Sequence, residues 1–461
     1  MRNIRTALSL VAGLAMAAPA GAQVLDSAQV KYPQPMVIQY TRPYDSRGIN
    51  MFETPKRAGA TYEGFKMTIG AAFTQQFQGL SHSNDADSVF VAAVNPSPGN
   101  AGSPATSDRN RLIEIGKGFN NAVANMIFNA QLAPGIRVQM TSYLSARHHN
   151  ETWVKDGFIQ IDESPFDLPL FNSIMKYTTL KIGHFEVNYG DQHFRRTDNG
   201  QAMFNPLVGN SILEAFTTEV GAEAIFQRNG FLAVAAITNG EIRGQLARPA
   251  DRDPAHMLKV GYDRQLNDDL RVRLTGSWRS QKSAVSNTIY SGDRAGSRYY
   301  YVLENWRATE SANFTSGAIN PGFSDEMTGM MINPFVKFRG LEFFGVVESA
   351  KGRSAAETAT RDITHNQFDL TYRFGPSQKL YIAGRLANFA GDLGVTGAGA
   401  TLQDNSDVTV NRTQFGGGWF LTPNLLLKAE YVTQTYDGFG RRDIRSNGKF
   451  NGFMLEAVTA W

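Results

Sequence analysis

One short segment of the sequence concentrates charged side chains that could act on a passing solute. Residues 190–213 carry Asp191, Arg195, Arg196 and Asp198, so two bases lie between two acids. Opposite charges held across a narrow passage would set up a transverse electric field that orders water and orients polar solutes. The segment therefore suits a selective constriction, and an exposed loop with solvated charges is the alternative.

Residues that could catalyse a reaction or hold a metal are sparse. The chain has seven His and no Cys, which excludes disulfides and thiolate metal sites. His148, His149 and Glu151 are the best metal candidates, but adjacent residues of a strand face opposite sides. The spacings G-x-S-x-G, H-E-x-x-H and the P-loop are absent. We therefore expect neither an enzyme nor a bound cofactor or metal, with a barrel hydrolase as an alternative.

The elements that must position the other charges are segments in which apolar and polar residues alternate. In 270–279, Leu270 and Val272 point one way while Arg271 and Arg273 point the other. Such segments run to about ten residues, which suits a tilted membrane strand and exceeds an ordinary soluble strand. Fourteen or eighteen strands remain alternatives to a count of sixteen. The sixteen predicted strands lie near 62–78, 118–132, 136–147, 152–162, 178–189, 214–227, 231–242, 256–266, 270–281, 327–339, 341–350, 366–374, 379–389, 408–421, 425–436 and 448–461.

The connections between these segments support one architecture. Short turns of Gly, Pro, Asn or Asp, such as 133–135 and 228–230, alternate with long polar stretches such as 79–117 and 282–326. Short periplasmic turns and long extracellular loops are typical of bacterial outer-membrane barrels. The pattern predicts an all-β fold, a transmembrane antiparallel β-barrel of about sixteen strands. A soluble periplasmic β-protein is the main rival at the level of the fold.

The N-terminal part divides the chain into three regions. Residues 1–22 combine two Arg, an apolar stretch and a small-x-small end, which predicts a secretory signal peptide; a membrane anchor is the alternative. Residues 23–61 contain four Pro, which block central strand pairing. We predict a periplasmic extension or a plug for this region, with a disordered tail as the alternative. The barrel is expected to cover 62–461.

Composition excludes two classes of protein. Removal of residues 1–22 takes away two of the 45 basic residues, which leaves 43 basic against 42 acidic residues. A near-neutral chain argues against nucleic-acid binding, which usually needs a clear basic excess. No apolar run after residue 22 approaches the ~20 residues that a membrane helix needs, so a helical membrane protein is excluded.

A sixteen-stranded barrel is wide enough for an aqueous channel, and the alternation assigns charged residues to its lumen. Eleven bases against six acids on this inferred face would favour anions. The basic candidates are Arg137, Arg147, Lys259, Arg271, Arg273, Arg279, Lys337, Arg373, Arg385, Arg412 and Lys428. The acidic candidates are Glu186, Glu219, Glu223, Asp263, Asp369 and Glu430.

A Gly-x-Phe motif, a small turn and an Arg-containing loop resemble the phosphate-selective porin O/P family, over roughly 178–240. The matching positions are Gly183, Phe185, Gly190, Arg195 and Arg196. The resemblance implies a trimeric, sixteen-stranded, anion-favouring channel whose pore is lined by Arg and Lys. This sequence departs from the family in its near-neutral charge and in the lack of an obvious Lys cluster.

The chain ends on a predicted strand at Trp461. This end resembles that of outer-membrane barrels, which implies recognition by the barrel-assembly machinery. We therefore predict an outer-membrane porin, a water-filled channel for passive diffusion of small hydrophilic solutes that favours anions or phosphate. The expected partners are outer-membrane lipid, these solutes and further copies in a homotrimer. A surface receptor or adhesin that uses the loops 79–117 and 282–326 is the alternative.

Overall fold

Alternation of apolar and polar side chains builds sixteen long strands that close into one barrel. The computed structural model describes residues 37–57, 59–92, 106–145, 151–196, 202–242, 252–292, 294, 299–396 and 403–461. The barrel strands are β1 (Lys66–Ser83), β2 (Val123–Ala133), β3 (Ile136–Leu144), β4 (Thr152–Ile161), β5 (Thr178–Glu186), β6 (Thr218–Arg228), β7 (Phe231–Thr238), β8 (Ala255–Gln265), β9 (Leu270–Gln281), β10 (Glu326–Phe338), β11 (Leu341–Arg353), β12 (Arg361–Phe374), β13 (Leu380–Gly391), β14 (Val408–Thr422), β15 (Leu425–Asp437) and β16 (Lys449–Ala460).

Each barrel strand pairs antiparallel with the next one in the chain. The barrel closes because β1 also pairs with β16, in a register that places Ala72 opposite Ala460 and Ser83 opposite Lys449. The predicted fold and the predicted count of sixteen strands are confirmed. A closed sheet has no free edge, so every strand backbone has a partner on both sides.

Shorter elements lie in the connections. The helix α1 (Pro169–Met175) lies between β4 and β5. None of the helices in the described residues is long and apolar enough to cross a membrane. Gly118–Phe119 pairs with β1 and adds to the barrel sheet. Two separate two-stranded sheets lie in the loops: Phe90–Ala92 with Thr106–Asp108, and Val395–Thr396 with Gln403–Asp404.

The predicted strand boundaries differ from the observed ones where strand pairing does not follow the alternation of apolar and polar residues. β1 continues to Ser83 and β12 begins at Arg361, both in polar sequence that was predicted as loop. These residues pair at the end of the barrel where the long loops emerge, and an apolar face is not needed there. Conversely, 187–189 and 214–217 were predicted as strand because they are partly apolar. They belong to the connection between β5 and β6, where they are buried.

The barrel carries its apolar residues outside and its polar residues inside. On β12, Phe368, Leu370 and Tyr372 are 42–53% exposed, whereas Gln367 and Asp369 are 2% exposed. A globular protein in water would show the opposite pattern. A closed barrel with an apolar exterior satisfies its backbone internally and presents its side chains to lipid. The protein is therefore a transmembrane β-barrel of the bacterial outer membrane.

One end of the barrel has short connections and the other has long ones, as predicted. The turn Asn229-Gly230 has positive φ at both residues (54° and 90°), the conformation of a type I′ hairpin. The exception at this end is 162–177, which contains α1. The long connections at the other end include 187–217 and 282–325.

Three chain segments occupy the interior. The N-terminal segment 37–57 has Ile38 and Phe52 buried, at 4% and 3% exposed. The connection 187–217, called here the inward loop, is buried over most of its described length, so it lies inside the barrel and not over its mouth. The loop 282–325 adds Tyr290 and Tyr299 to the same interior core.

Candidate functional site

The inward loop crosses the lumen between two groups of wall strands. At its start, the backbone N–H of Gly190 donates to Ser277 on β9, and that of Asp191 donates to Asn333 on β10. Further along, the backbone N–H of Val208 donates to Glu430 on β15 at 2.7 Å. The loop is thus attached at its start to β9 and β10 and further along to β15.

The first attachment is a buried cluster of two acids and two bases. Asp191 lies 2.6 Å from the Lys259 ammonium and accepts two hydrogen bonds from Arg273, at 2.7 and 2.8 Å. Glu53 from the N-terminal segment lies 2.9 Å from the same Lys259. Thr275 also donates to Asp191, at 2.8 Å. Because every charge in this cluster has an opposite partner, it can be stable away from water.

The two carboxylates of this cluster are held in their ionised form. Burial alone would raise the pKa of Glu53, but the charges of Arg273 and Lys259 outweigh it and lower the pKa to about 2. The same two cations lower the pKa of Asp191 against the opposing effect of burial. Both groups are therefore anionic at neutral pH, and the cluster is close to neutral as a whole.

The second attachment uses backbone carbonyls as acceptors. Lys428 donates to the carbonyl of Ala202 at 2.6 Å and lies 2.6 Å from Glu456. Arg385 donates to the carbonyl of Gly209 at 2.9 Å, and Asp369 accepts two bonds from the same guanidinium. These contacts hold the second half of the inward loop against β13 and β15, and Asp369 on β12 and Glu456 on β16 are the carboxylate partners of the two bases.

Between the two attachments lies a small polar cavity. Among the described residues, three Arg side chains contribute to its lining and no carboxylate does so. Arg195 and Arg196 come from the inward loop, and Arg385 comes from β13. The other lining residues are Gln192, Asn205, Asn210, Ser211, Phe344 and Gln367. The cavity is thus rich in hydrogen-bond donors and in positive charge, which is the chemistry that holds an anion.

The three arginines of the cavity differ in how they are paired. Arg385 is neutralised by Asp369, as described above, and Arg196 lies 3.7 Å from Glu214 with its guanidinium over the ring of Phe216. Arg195 donates to Asn50 at 3.0 Å and lies over the ring of Phe344. Among the described residues, no carboxylate oxygen lies within 4.0 Å of the Arg195 guanidinium.

Among the described residues, Arg195 is thus the cavity arginine that does not form an ion pair. Its burial, together with the nearby cations Arg373 and Arg385, lowers its pKa, while Asp369 and Glu342 act in the opposite direction. An arginine stays protonated under such a shift, because its ordinary pKa lies far above neutral pH. The Arg195 charge is therefore incompletely neutralised and can attract an anion.

The structure places most of the predicted pore-lining residues inside the barrel, but in separate groups. Asp191, Lys259 and Arg273 form the first cluster, and Arg195 and Arg196 reach the cavity. The others bond to the wall or to the inward segments: Arg271 to Asp263, Arg279 to Glu219, Arg373 and Lys337 to Glu342, Lys428 to Glu456, Arg137 to Gln160, Arg412 to the carbonyls of Asn210 and Gly317, and Glu186 to His193. Arg147 and Asp198 lie outside the described residues, as do His148 and His149.

The buried residues of the structure do not share the basic surplus that the sequence predicts for the lumen. Among the described residues, eleven Lys and Arg are buried, together with sixteen Asp and Glu. The sequence pattern missed acids such as Glu53, Glu342 and Glu456. Glu53 lies in a segment without strand periodicity, and Glu342 lies on β11, where alternation is weak. Any preference for anions must therefore come from the local arrangement at the cavity and not from the overall count.

Metal binding and catalysis receive no support from the described part of the chain. No group of three His, Asp or Glu within it could hold a metal ion. His365 lies 3.6 Å from Glu348, but both side chains are fully buried in the barrel wall. The predicted absence of an enzyme and of a cofactor stays a prediction.

Comparison with known proteins gives structural likeness alone. No family model and no curated protein matches the sequence, so the resemblance to the phosphate-selective porin O/P family stays a prediction. An anion-selective porin from Comamonas acidovorans is 8% identical, with 86% of this chain and 100% of that chain covered and a TM-score of 0.47. OprB of Pseudomonas putida is 9% identical over 86% and 94% of the two chains, with a TM-score of 0.48. The outer membrane channel DcaP of Acinetobacter baumannii is 9% identical over 87% and 99%, with a TM-score of 0.46.

Proposed function

We propose that the protein is an outer-membrane porin that admits small hydrophilic solutes by passive diffusion and favours anions. The observation that carries this proposal is the lining of the internal cavity, which contains Arg195, Arg196 and Arg385 and, in the part of the chain that the structure describes, no carboxylate. A sixteen-stranded barrel has an interior wide enough for an aqueous path. The inward loop narrows that path and brings two of the three arginines to it.

The cavity suits a small anion better than a large one. The cavity has room for about one water molecule. The guanidinium of Arg195 would attract the anion. A neutral solute of the same size would lack this electrostatic attraction. We therefore place an inorganic anion or a small carboxylate ahead of a sugar.

The N-terminal segment 37–57 is the second part of the proposal. It enters the lumen from the end with short turns and contacts the inward loop through Asn50 and Arg195. We propose that this segment acts as a plug that limits the conductance of the barrel. A homotrimer and selectivity for phosphate, which the family resemblance implies, belong to the same proposal and need separate tests.

Swelling of liposomes that contain the refolded protein tests the proposed function. Glucose and gluconate are close in size and differ in charge, so their rates of entry separate diffusion from charge preference. Entry of both, with gluconate faster, is the expected result. Entry of neither solute through a heat-stable folded barrel would overturn the porin proposal and favour a surface receptor. Faster entry of glucose would overturn the preference for anions while leaving the porin intact.

A further inference from the structure

The connection between β4 and β5 exposes an apolar patch at the end of the barrel with short turns. Every other connection at this end is a short turn, whereas this one spans 162–177 and contains α1. Five large apolar side chains in it are 45–69% exposed: Phe166, Leu168, Leu170, Phe171 and Ile174. This apolar patch lies outside the site described above, and the pore does not use it.

The patch is a preformed surface. Pro169 opens the helix at a position where its missing N–H costs nothing, and Leu170, Phe171 and Ile174 follow at spacings that place them on one face. Met175 is 6% exposed and holds the end of the helix against the barrel. The rings of Phe166 and Phe171 meet edge to face, with centroids 6.0 Å apart. The apolar residues are therefore presented together and are fixed in place.

The patch continues into the lipid-facing surface of the barrel. Tyr177 is the second residue after α1, and its ring centroid lies 6.1 Å from that of Phe226, which is an outward residue of β6. Phe231 on β7 and Tyr262 on β8 extend this row of aromatic rings, with centroids 5.3 Å apart. Aromatic rows at the ends of barrel strands mark the boundary between lipid and water.

Basic side chains stand next to the patch at the same boundary. Arg228 places its guanidinium 4.8 Å from the centroid of the Tyr177 ring, and Lys176 places its ammonium 5.5 Å from it. Both side chains are exposed. A basic pair above an apolar helix face is the arrangement by which interfacial helices bind phospholipids, with acyl chains against the apolar face and phosphates near the cations.

We propose that the segment 164–177 lies in the inner, phospholipid leaflet of the outer membrane as an interfacial anchor. Leu170, Phe171 and Ile174 enter the acyl-chain boundary, and Lys176 and Arg228 contact the phosphate groups. Lipid is favoured over a second protein copy because the patch is continuous with the lipid-facing row of rings and carries basic residues at its edge.

The absence of Cys from the sequence allows a direct test. The full mature chain carrying Phe171→Cys is labelled with an environment-sensitive fluorophore, refolded and inserted into phosphatidylglycerol-containing liposomes. Ser173→Cys, on another side of the same helix, is the matched control. The expected result is a blue-shifted emission at position 171 that is quenched severalfold more than at position 173 by lipids with a spin label near the top of the acyl chain.

Two results would overturn the proposal. Equal, water-like emission at both positions would show that the patch stays in solution. A blue shift at position 171 without quenching by the labelled lipids would show that protein covers the patch, and a second copy of the chain would then be the occupant. Both positions are exposed on the surface, so a failure to fold is not expected from either label, and the heat-modifiable migration of the folded barrel on a gel checks this.

Discussion

Glu53 and Arg273 form a two-pronged ion pair inside the barrel, in which Nη1 lies 2.8 Å from Oε2 and Nη2 donates to Oε1 at 3.0 Å. The pair joins the N-terminal segment to β9, and both side chains are almost fully buried. Parallel bonds of this kind fix geometry as well as charge. The N-terminal segment is therefore held in the lumen by a directed charge interaction in addition to the apolar contacts of Phe52.

Removal of the Glu53 carboxylate is expected to loosen the proposed plug. Glu53→Ala leaves Lys259 and Arg273 sharing Asp191, and breaking a buried ion pair on one side costs on the order of 3–5 kcal/mol. The segment 37–57 should then leave the lumen more often, so the single-channel conductance should rise. Glu63→Ala is the control, because Glu63 is 69% exposed and pairs with Lys66 at the surface. An unchanged conductance in Glu53→Ala, together with a lowered melting temperature, would show that the segment stabilises the barrel without restricting the pore.

The same ion pair predicts a dependence of stability on pH. The pKa of Glu53 is about 2 in the folded protein, against an ordinary value of 4.5. Because the folded state holds this proton more weakly than the unfolded state, the stabilisation is fully present above pH 4.5 and is lost as the pH falls towards 2. The melting temperatures of the wild type and of Glu53→Gln should therefore differ by a constant amount above pH 4.5 and converge below it. A difference that grows on acidification would contradict this assignment.

Arg195 is expected to carry much of the proposed preference for anions. It is the cavity arginine without a carboxylate within 4.0 Å among the described residues, and unit charges about 4 Å apart interact by about 4 kcal/mol at an effective dielectric constant of 20. Arg195→Ala should lower the ratio of anion to cation permeability severalfold, measured from the reversal potential. Arg264→Ala is the matched control, because that side chain is exposed at the end of β8. Equal effects of the two substitutions would mean that the cavity does not select ions.

Gly183, part of the motif that resembles the porin O/P family, has a structural reason for its presence. Its φ is +134°, and a Cβ at this position would lie 2.7 Å from the carbonyl oxygen of Gly157 on β4. Gly183→Ala should therefore destabilise the barrel by roughly 1–3 kcal/mol, the cost of such backbone conformations for other residues. Gly276→Ala is the control, since a Cβ there meets no atom within 4 Å. The stability of both variants is measured as the temperature at which half of the protein migrates as the unfolded form on a gel. An equal temperature for the two variants would contradict this explanation.

The barrel could be predicted from the sequence because its strands obey a local rule. Lipid on one side and polar interior on the other force a period of two, which Phe368, Asp369 and Leu370 on β12 display directly. The rule fails at Glu342 on β11, where alternation is weak, and at strand ends such as Ser83. At these positions the chain leaves the apolar layer of the membrane. The strands stay paired there although apolar and polar residues no longer alternate.

The site could be predicted only in part, because its contacts join distant parts of the chain. The charges of the inward loop identified Arg195 and Arg196, but nothing local places Glu53 next to Lys259. That contact depends on the path of the N-terminal segment through the lumen, which follows from the closed barrel and not from residues 37–57 alone. The overestimated basic surplus has the same origin, since the missed acids come from irregular or weakly alternating segments.

The most direct test of the proposed anion-favouring porin is the reversal potential of the refolded mature protein in a planar bilayer under a tenfold gradient of potassium chloride. Stepwise openings with a reversal potential of the sign set by chloride are expected, because the described lining of the cavity contains three arginines and no carboxylate. A reversal potential of the sign set by potassium, or the absence of any opening from a correctly folded barrel, would contradict it.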